Sequence, residues 1–498
     1  MNPGENQAPR DYGGWRLRRG IGLLGLGLGG TAAVLGALLV LVITAAASPA
    51  ALLYVAPPLL LAGGASLTRI GGEPLALAAL RRARWRHAWS RGWTRYQAEA
   101  AAAHSSAWRL PGVLAPLALL DADDGYGGRY ALVLDRRAGT LTAALRVIPV
   151  STWLADRHDA DTWVANWGGW LASLGYLPMV RHVTVVTDTA PEPGTALADA
   201  VAAALDPAAP AAARQIMGQL VAAAPAAAAD VDTWVSVTFD PRLSPAAPAG
   251  LAEAAAEAGR ALHGLESALG TCGVTVLGRA TPAEVAGTVR VAFDPAARGE
   301  TGRLLAWSGG GRPVPGLTWP GAAPSRAEEE PGCYRHGSGT SVTWCWKEAP
   351  RTSVTADVLS WLAAPGPYPK RVSLHYRPFR AAEATRTLEA EVSAAQFRAV
   401  YKRRTGRDET ARDSFDQARA RQAAAEEAAG AGVGLISLYV TVTVTNPGDL
   451  PRAVAETEAA AESSRIRLRR MAYSQAAGWA ATLPVGVCPA ELARRIPH

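Results

Sequence analysis

Few groups in this 498-residue chain have the types and spacing that chemistry requires. Asp121-Ala-Asp123-Asp124-Gly125 opens like a calcium loop, where alternating carboxylates would converge on one hard cation. The spacing is off by one and no Glu closes the loop, so the stretch reads as a solvated acidic turn. His158-Asp159 with Asp161 combines an imidazole with carboxylates. Acids just before a helix are ordinarily caps and dipole partners, and that reading is preferred. His336-Gly-Ser338, with Cys333 nearby, sets a base beside a hydroxyl, but nothing fixes a base–nucleophile geometry. The chain has no G-x-x-x-x-G-K-[ST], no H-E-x-x-H and no G-x-S-x-G. A phosphate-cradling P-loop is therefore excluded. The four cysteines, Cys272, Cys333, Cys345 and Cys488, form no C-x-x-C pair and read as scattered free thiols, with a single Cys333–Cys345 bridge as the alternative. The expectation is no catalytic residue, no metal and no cofactor.

Two stretches could bind rather than react. Trp85, Trp89, Trp93 and Tyr96 interleave with Arg81, Arg82, Arg84, Arg86, Arg91 and Arg95. Farther on, residues 162–178 read TWVANWGGWLASLGYLP. Indoles stack on bases, sugars and cations, but they also fill cores. Trp163, Trp167 and Trp170 recur at helical spacing with Leu171 and Leu174, which is the stripe of a helix lying on a sheet. Core packing is the preferred reading, and it predicts that Trp167→Ala costs about 3–5 kcal/mol of stability.

The elements around these residues set the context. Basic residues are 47 Arg and three Lys, a skew that reads as the codon bias of a GC-rich genome. Residues 1–100 hold 11 Arg and four acids, which accounts for the whole net charge of +7. Residues 21–47 carry no charge, and after Ser48-Pro49 residues 51–67 are again uncharged. About 20 apolar residues suffice to cross a bilayer, so the sequence predicts a two-helix transmembrane hairpin over 21–68. Arg16, Arg18 and Arg19 precede it, and Arg81 and Arg82 follow it. Arginine on both flanks predicts a multi-pass protein of the inner cell membrane with both termini cytoplasmic. On this reading Arg16, Arg18, Arg19, Arg81, Arg82, Trp85, Trp89 and Trp93 lie at the membrane interface. Gly25 and Gly29 have the spacing that lets membrane helices pack closely.

The predicted organisation is α+β. A basic N-terminus (1–20) leads into the hairpin and a basic, aromatic juxtamembrane segment (69–108). A first α/β domain (109–300) follows, then a Gly/Pro-rich linker or loop (301–335) and a second α/β domain (336–498). Strands are predicted near 130–135, 141–150, 180–187, 231–240 and 273–277, then near 341–346, 371–376, 435–446 and 466–468. Helices alternate with them, which suits two ferredoxin-like sandwiches. The two blocks share an element order without a clear sequence repeat. A polar helical arm is predicted over 380–428.

Two stretches carry a resemblance. Trp163 to Thr187 resembles the "helix, L-x-x-L-G-Y, Pro, strand" pattern in the N-terminal domain of conjugation and type IV secretion ATPases of the CagE/TrbE/VirB family. Ser474-Gln-Ala-Ala-Gly-Trp479-Ala-Ala-Thr-Leu483-Pro484 looks like the motif that closes that domain. The hairpin is similar to PrgI-type and TrbD-type membrane proteins. The chain as a whole resembles an actinobacterial family of integral membrane proteins from conjugation-like loci. The resemblance implies a membrane-anchored, non-catalytic subunit of a conjugative DNA-transfer or type IV-like secretion apparatus. It would dock a separate ATPase, the motor being absent here, alongside other membrane subunits and the lipid bilayer. Homo-oligomerisation and direct nucleic-acid contact are left open. Two rival readings stand beside it: a membrane-tethered enzyme with an unrecognised site, and a single-stranded DNA-binding transfer factor working through 81–96 or 162–178.

Overall fold

The computed structural model describes residues 28–495, apart from 71–72, 99–108, 124–127, 151–154, 193–194, 207, 224–228, 309–313, 349, 351–353, 381, 390–420 and 427–431. The described residues begin with helices α1 (Leu28–Ala47) and α2 (Pro49–Leu67), which pack as a hairpin. Two short strands, β1 (Arg69–Ile70) and β2 (Glu73–Pro74), pair with each other and lead into α3 (Leu75–Ser90).

The hairpin corrects one expectation. Among the described residues no helix is long and apolar enough to cross a membrane. The predicted transmembrane hairpin and the multi-pass inner-membrane location are therefore withdrawn. The large aliphatic residues of α1 are concentrated in 34–43, about 15 Å of helix against a hydrocarbon core of about 30 Å. Ala, Gly and Thr make up most of the remainder. Helix α2 carries Pro57 and Pro58 inside it and Gly63-Gly64 near its end.

The body is built on one antiparallel sheet of 13 strands. The first half contributes β4 (Leu117–Asp123), β5 (Arg129–Asp135), β6 (Thr140–Pro149), β7 (Val180–Pro191), β8 (Ala229–Phe239) and β9 (Val274–Arg279). Helix α4 (Arg157–Ser173) joins β6 to β7. Helices α5 (Thr195–Ala204) and α6 (Ala211–Ala223) stand between β7 and β8. Helix α7 (Leu251–Leu269) joins β8 to β9. Next come α8 (Pro282–Phe293) and α9 (Arg298–Ser308). The second half repeats the order. It has β10 (Arg326–Glu329), β11 (Tyr334–His336), β12 (Gly339–Glu348), α10 (Ser360–Ala363), β13 (Lys370–Pro378), β14 (Gly434–Val444), α11 (Leu450–Ser463) and β15 (Arg467–Arg470). Helices α12 (Gln475–Ala481) and α13 (Pro489–Arg495) close the chain. A short strand β3 (Arg95–Gln97) pairs with β10 at the far edge.

Within each half the strands lie in matching order, β9-β6-β8-β7 and β15-β12-β14-β13. Local chemistry repeats too. Asp240 follows β8 and accepts from Arg242 N at the start of a 3-10 turn opened by Pro241. Asn446 follows β14 and accepts from Gly448 N at a turn opened by Pro447.

Strands β7 and β13 would otherwise be the open edges of their halves. They pair with each other over seven register positions, from Lys370↔Thr189 to Tyr376↔Val183. This removes two rows of unpaired backbone groups and makes one sheet where two separate sandwiches were predicted. The predicted linker 301–335 is likewise part of the body, since β10 and most of β11 lie within it.

One face of the sheet is apolar. Leu141, Ala143, Leu145, Val235, Val237 and Val183 pack beneath α4 and α7. Val342, Trp344 and Val442 of the second half pack beneath α11. Trp170 is buried there and donates from Nε1 to Leu265 O at 3.1 Å. Trp167 stacks on it at 4.9 Å but is only half buried. The core role therefore holds for the stripe, with its weight moved from Trp167 to Trp170. Trp170→Ala should cost about 3–5 kcal/mol in denaturant unfolding, and Trp167→Ala only about 1–2 kcal/mol.

Candidate functional site

The opposite face of the central sheet is polar and still buried. Across the strands it presents Thr142, Thr238, Ser236, Thr184, His182, Asp188, Arg371, Ser373, His375, Thr441, Thr443, Thr343 and Ser341, each less than a tenth exposed. Their side chains share one face because each strand contributes alternate residues. Many bond to one another: Thr142 to Thr238 at 2.9 Å, Thr343 to Thr441 at 2.8 Å and Ser341 to Thr443 at 2.8 Å.

Two segments cross this face in opposite senses. The first, residues 280–298, begins against β5 and β6, where Ala280 N donates to Ala144 O and Ala131 N donates to Ala280 O. It ends on the other half. Phe293 O accepts from His336 Nδ1 at 2.8 Å, and Asp294 meets Ser338 Oγ. The second, residues 471–491, begins on β12, where the Gln475 side chain bonds both Thr343 N (2.7 Å) and Thr343 O (3.3 Å). It passes His375, whose Nε2 donates to Ala481 O at 2.9 Å, and Thr441, which meets Thr482 Oγ1 at 3.1 Å. It finishes on the first half. Gly486, at φ +81, lies so close that a Cβ would sit 2.1 Å from Thr142 Oγ1. The straps meet in the middle, with Phe293 and Trp479 ring centroids 4.3 Å apart.

Charge is concentrated at the seam. Arg371 stands directly cross-strand from Asp188. Its Nε donates to Thr482 Oγ1 at 3.2 Å and its guanidinium lies 5.2 Å from the Trp479 ring. One of its Nη atoms has no hydrogen-bond partner. Burial pulls Arg371 down to about 10, with Asp188 opposing the shift and Arg298 adding to it. Arg298 donates to both Asp188 oxygens at 3.1 Å and to Asp230 at 2.8 Å. Burial opposes its charge too, and the two carboxylates outweigh that. Burial pushes Asp232, beside them, upward, helped by Asp230 and Asp188. Both strap-binding histidines are neutral. Burial lowers His336 to about 3 and His375 to about 4.

The groups flagged in sequence fall as follows. The base–hydroxyl pair exists, but with a different serine: His336 Nε2 accepts from Ser341 Oγ at 2.7 Å. Ser341 is wholly buried, so this pair locks a strap and has no route to a substrate. Ser338 instead meets Asp294. Asp121 is ion-paired to Arg129 at 2.7 Å. His158 and Asp159 lie exposed in the first turn of α4. All four cysteines are free. Among the described residues no cluster of His, Cys, Asp and Glu could hold a metal ion. Gly25, Arg16, Arg18 and Arg19 lie outside the described residues, while Gly29 falls in the first turn of α1. The membrane-interface set is divided. Arg81 and Trp85 turn toward the body, where Trp85 meets Tyr473 at 5.7 Å. Arg82, Trp89 and Trp93 face outward. The interface assignment rested on the flanking spans and falls with them.

Two open clefts were not expected. One, of about 360 Å³, is lined by Arg181, Arg377, Arg380 and Glu383 among apolar walls at the end of the β7–β13 seam. Its guanidinium groups are opposed by carboxylates: Arg377 by Glu383 at 3.0 Å and Arg181 by Asp240 at 3.4 Å. The other, of about 340 Å³, is lined by Asp357, Trp361 and Arg465. Comparison with protein-family models and with curated proteins returns no match.

The polar face had a signal in the sequence. Arg371, Ser373 and His375 occupy alternate positions of one strand, as do His182, Thr184 and Asp188 on another.

Two outcomes follow from the straps. A side chain at Gly486 meets both the positive φ and Thr142, so Gly486→Ala should destabilise by about 2 kcal/mol or more; a urea melt measures it. The histidines give a pH dependence. Their folded pKa values lie below the unfolded value of about 6.5, so the unfolded chain binds more protons between about pH 6.5 and 4. Stability is complete above about pH 6.5 and falls as pH drops through that window, by up to about 1.4 kcal/mol per pH unit per histidine. His336→Gln with His375→Gln should flatten the slope between pH 6.5 and 5, read from urea midpoints.

Proposed function

We propose that this chain is a non-catalytic assembly subunit of a conjugative DNA-transfer or type IV-like secretion apparatus, and that it docks a separate ATPase. The observation that carries the reading is where the resembling residues lie. Residues 162–178 supply the helix that packs the apolar face, and Ser474 to Pro484 form the strap that closes the polar face. The stretches that resemble the N-terminal domain of the secretion ATPases are thus fold-determining ones, which supports the reading of a similar domain. The buried Ser–His pair and the buried arginines are committed to joining the halves, which supports a scaffold over an enzyme. In the same reading, each half is a ferredoxin-like unit, since its strand order and its two helices on one face match a split β-α-β.

The full chain, affinity-tagged at its C-terminus and purified from its own host, should co-purify an ATPase of the conjugation class. The expected motor carries little or no N-terminal domain of its own. Recovery of only unrelated proteins under several extraction conditions would contradict the assignment.

A further inference from the structure

The outward face of α3 and the turn after it carry exposed arginine and tryptophan side chains. Residues 75–97 contain six arginines and no acid. Of the chain's net charge of +7, six units therefore sit in 23 residues. The inward stripe of α3, Arg81, Trp85 and Ala88, faces the body. The outward stripe is Arg82, Arg86 and Trp89, with Arg84 and Arg91 beside it. Trp89 is 53% exposed and Trp93 71%. Arg82, Arg84, Arg86 and Arg91 make no ion pair among the described residues.

The platform is rigidly mounted. Helix α3 ends in a glycine cap, with Gly92 at φ +73, Trp93 N donating to Ala88 O and Gly92 N to Trp89 O. This bond pair fixes the residue after the left-handed glycine. Trp93 is thereby held edge-on to His87 at 5.7 Å. Strand β3 then joins the main sheet, and Arg95 pairs with Glu328 at 2.9 Å. Both indoles thus stay largely exposed on this fixed surface.

We infer that this face binds single-stranded nucleic acid, with bases stacked on Trp89 and Trp93 and phosphates held by Arg82, Arg86 and Arg91. Alternating guanidinium and indole groups on one fixed surface match a strand that alternates phosphate and base. Unpaired arginines on an otherwise near-neutral chain are the concentrated basic face that such binders show. A lipid surface fits less well. A helix lying on a bilayer needs one continuous apolar face, and on α3 the arginines interrupt it. An indole set into the body, Trp85, is also lost to a bilayer. This inference is independent of the ATPase-docking proposal.

The test uses the full chain and a fluorescein-labelled single-stranded DNA of mixed sequence, read by anisotropy across a salt series. Parallel arms use the same sequence as RNA, the DNA duplex, and phosphatidylserine–phosphatidylcholine vesicles read by sedimentation. Single strands should bind more tightly than the duplex, and the DNA and RNA arms decide which strand is preferred. Trp89→Ala and Trp93→Ala should each weaken binding about tenfold. Arg82→Gln and Arg86→Gln should each flatten the log–log salt slope by about 0.7. Trp361→Ala, at an exposed indole elsewhere (60% exposed), should leave binding unchanged. Unchanged thermal melts confirm that the variants fold, and the Arg82 and Arg86 changes lie wholly on the surface. Failure of single strands to bind, Trp variants that bind as tightly as the native chain, or vesicles bound in preference to strands would each overturn the inference.

Discussion

The structure depends on a buried face that is polar. In an ordinary layered fold, the sheet surface under a covering helix is apolar, and burial drives association without direction. Here the central strands present threonine, serine, histidine, arginine and aspartate inward instead. Each such group loses water on burial and must find a partner, since an unmet one costs about 1–3 kcal/mol. Some partners are neighbours on the same face, and others come from residues 280–298 and 471–491, which fixes where these segments seat. Direction and specificity come from hydrogen bonds, while Phe293, Trp479, Val289 and Leu483 supply the apolar contribution.

The crossed arrangement follows from that requirement. Each strap leaves the half that made it and satisfies groups on the other. His336 of the second half bonds Phe293 O, while Gly486 seats against Thr142 of the first half and Glu491 lies 3.9 Å from Arg181. Together with the β7–β13 pairing, this makes neither half complete alone. Arg371 shows how demanding the seam is. A buried guanidinium with an unmet nitrogen is tolerated because Asp188, Thr482 and the Trp479 ring surround it.

Much of the fold was legible in the sequence, and the part that was not has a physical cause. Strands such as 180–187 and 231–240 announced themselves by β-branched residues, and α7 by its apolar period. The single sheet did not, because pairing of Thr184 with His375 joins positions far apart in the chain. The repeat of Asp240-Pro241 as Asn446-Pro447 is chemically alike but too short to register as a sequence repeat. The uncharged N-terminal run predicts two spans, but its large aliphatic residues are too few, among Ala, Gly and Pro, to make a described helix long and apolar enough to cross a membrane. On the candidate sites, the Trp/Arg segment was noticed, but its division into an inward and an outward stripe required the body against which α3 packs.

The central claim is that the two straps make both halves one cooperative unit. Native-state hydrogen exchange, followed by mass spectrometry at rising denaturant, tests it most directly. Amides of 183–189, 370–376, 284–292 and 475–481 should open in one event, with the same free energy and the same denaturant dependence. Separate opening of the first and second halves, with the straps released earlier and at lower free energy, would contradict it.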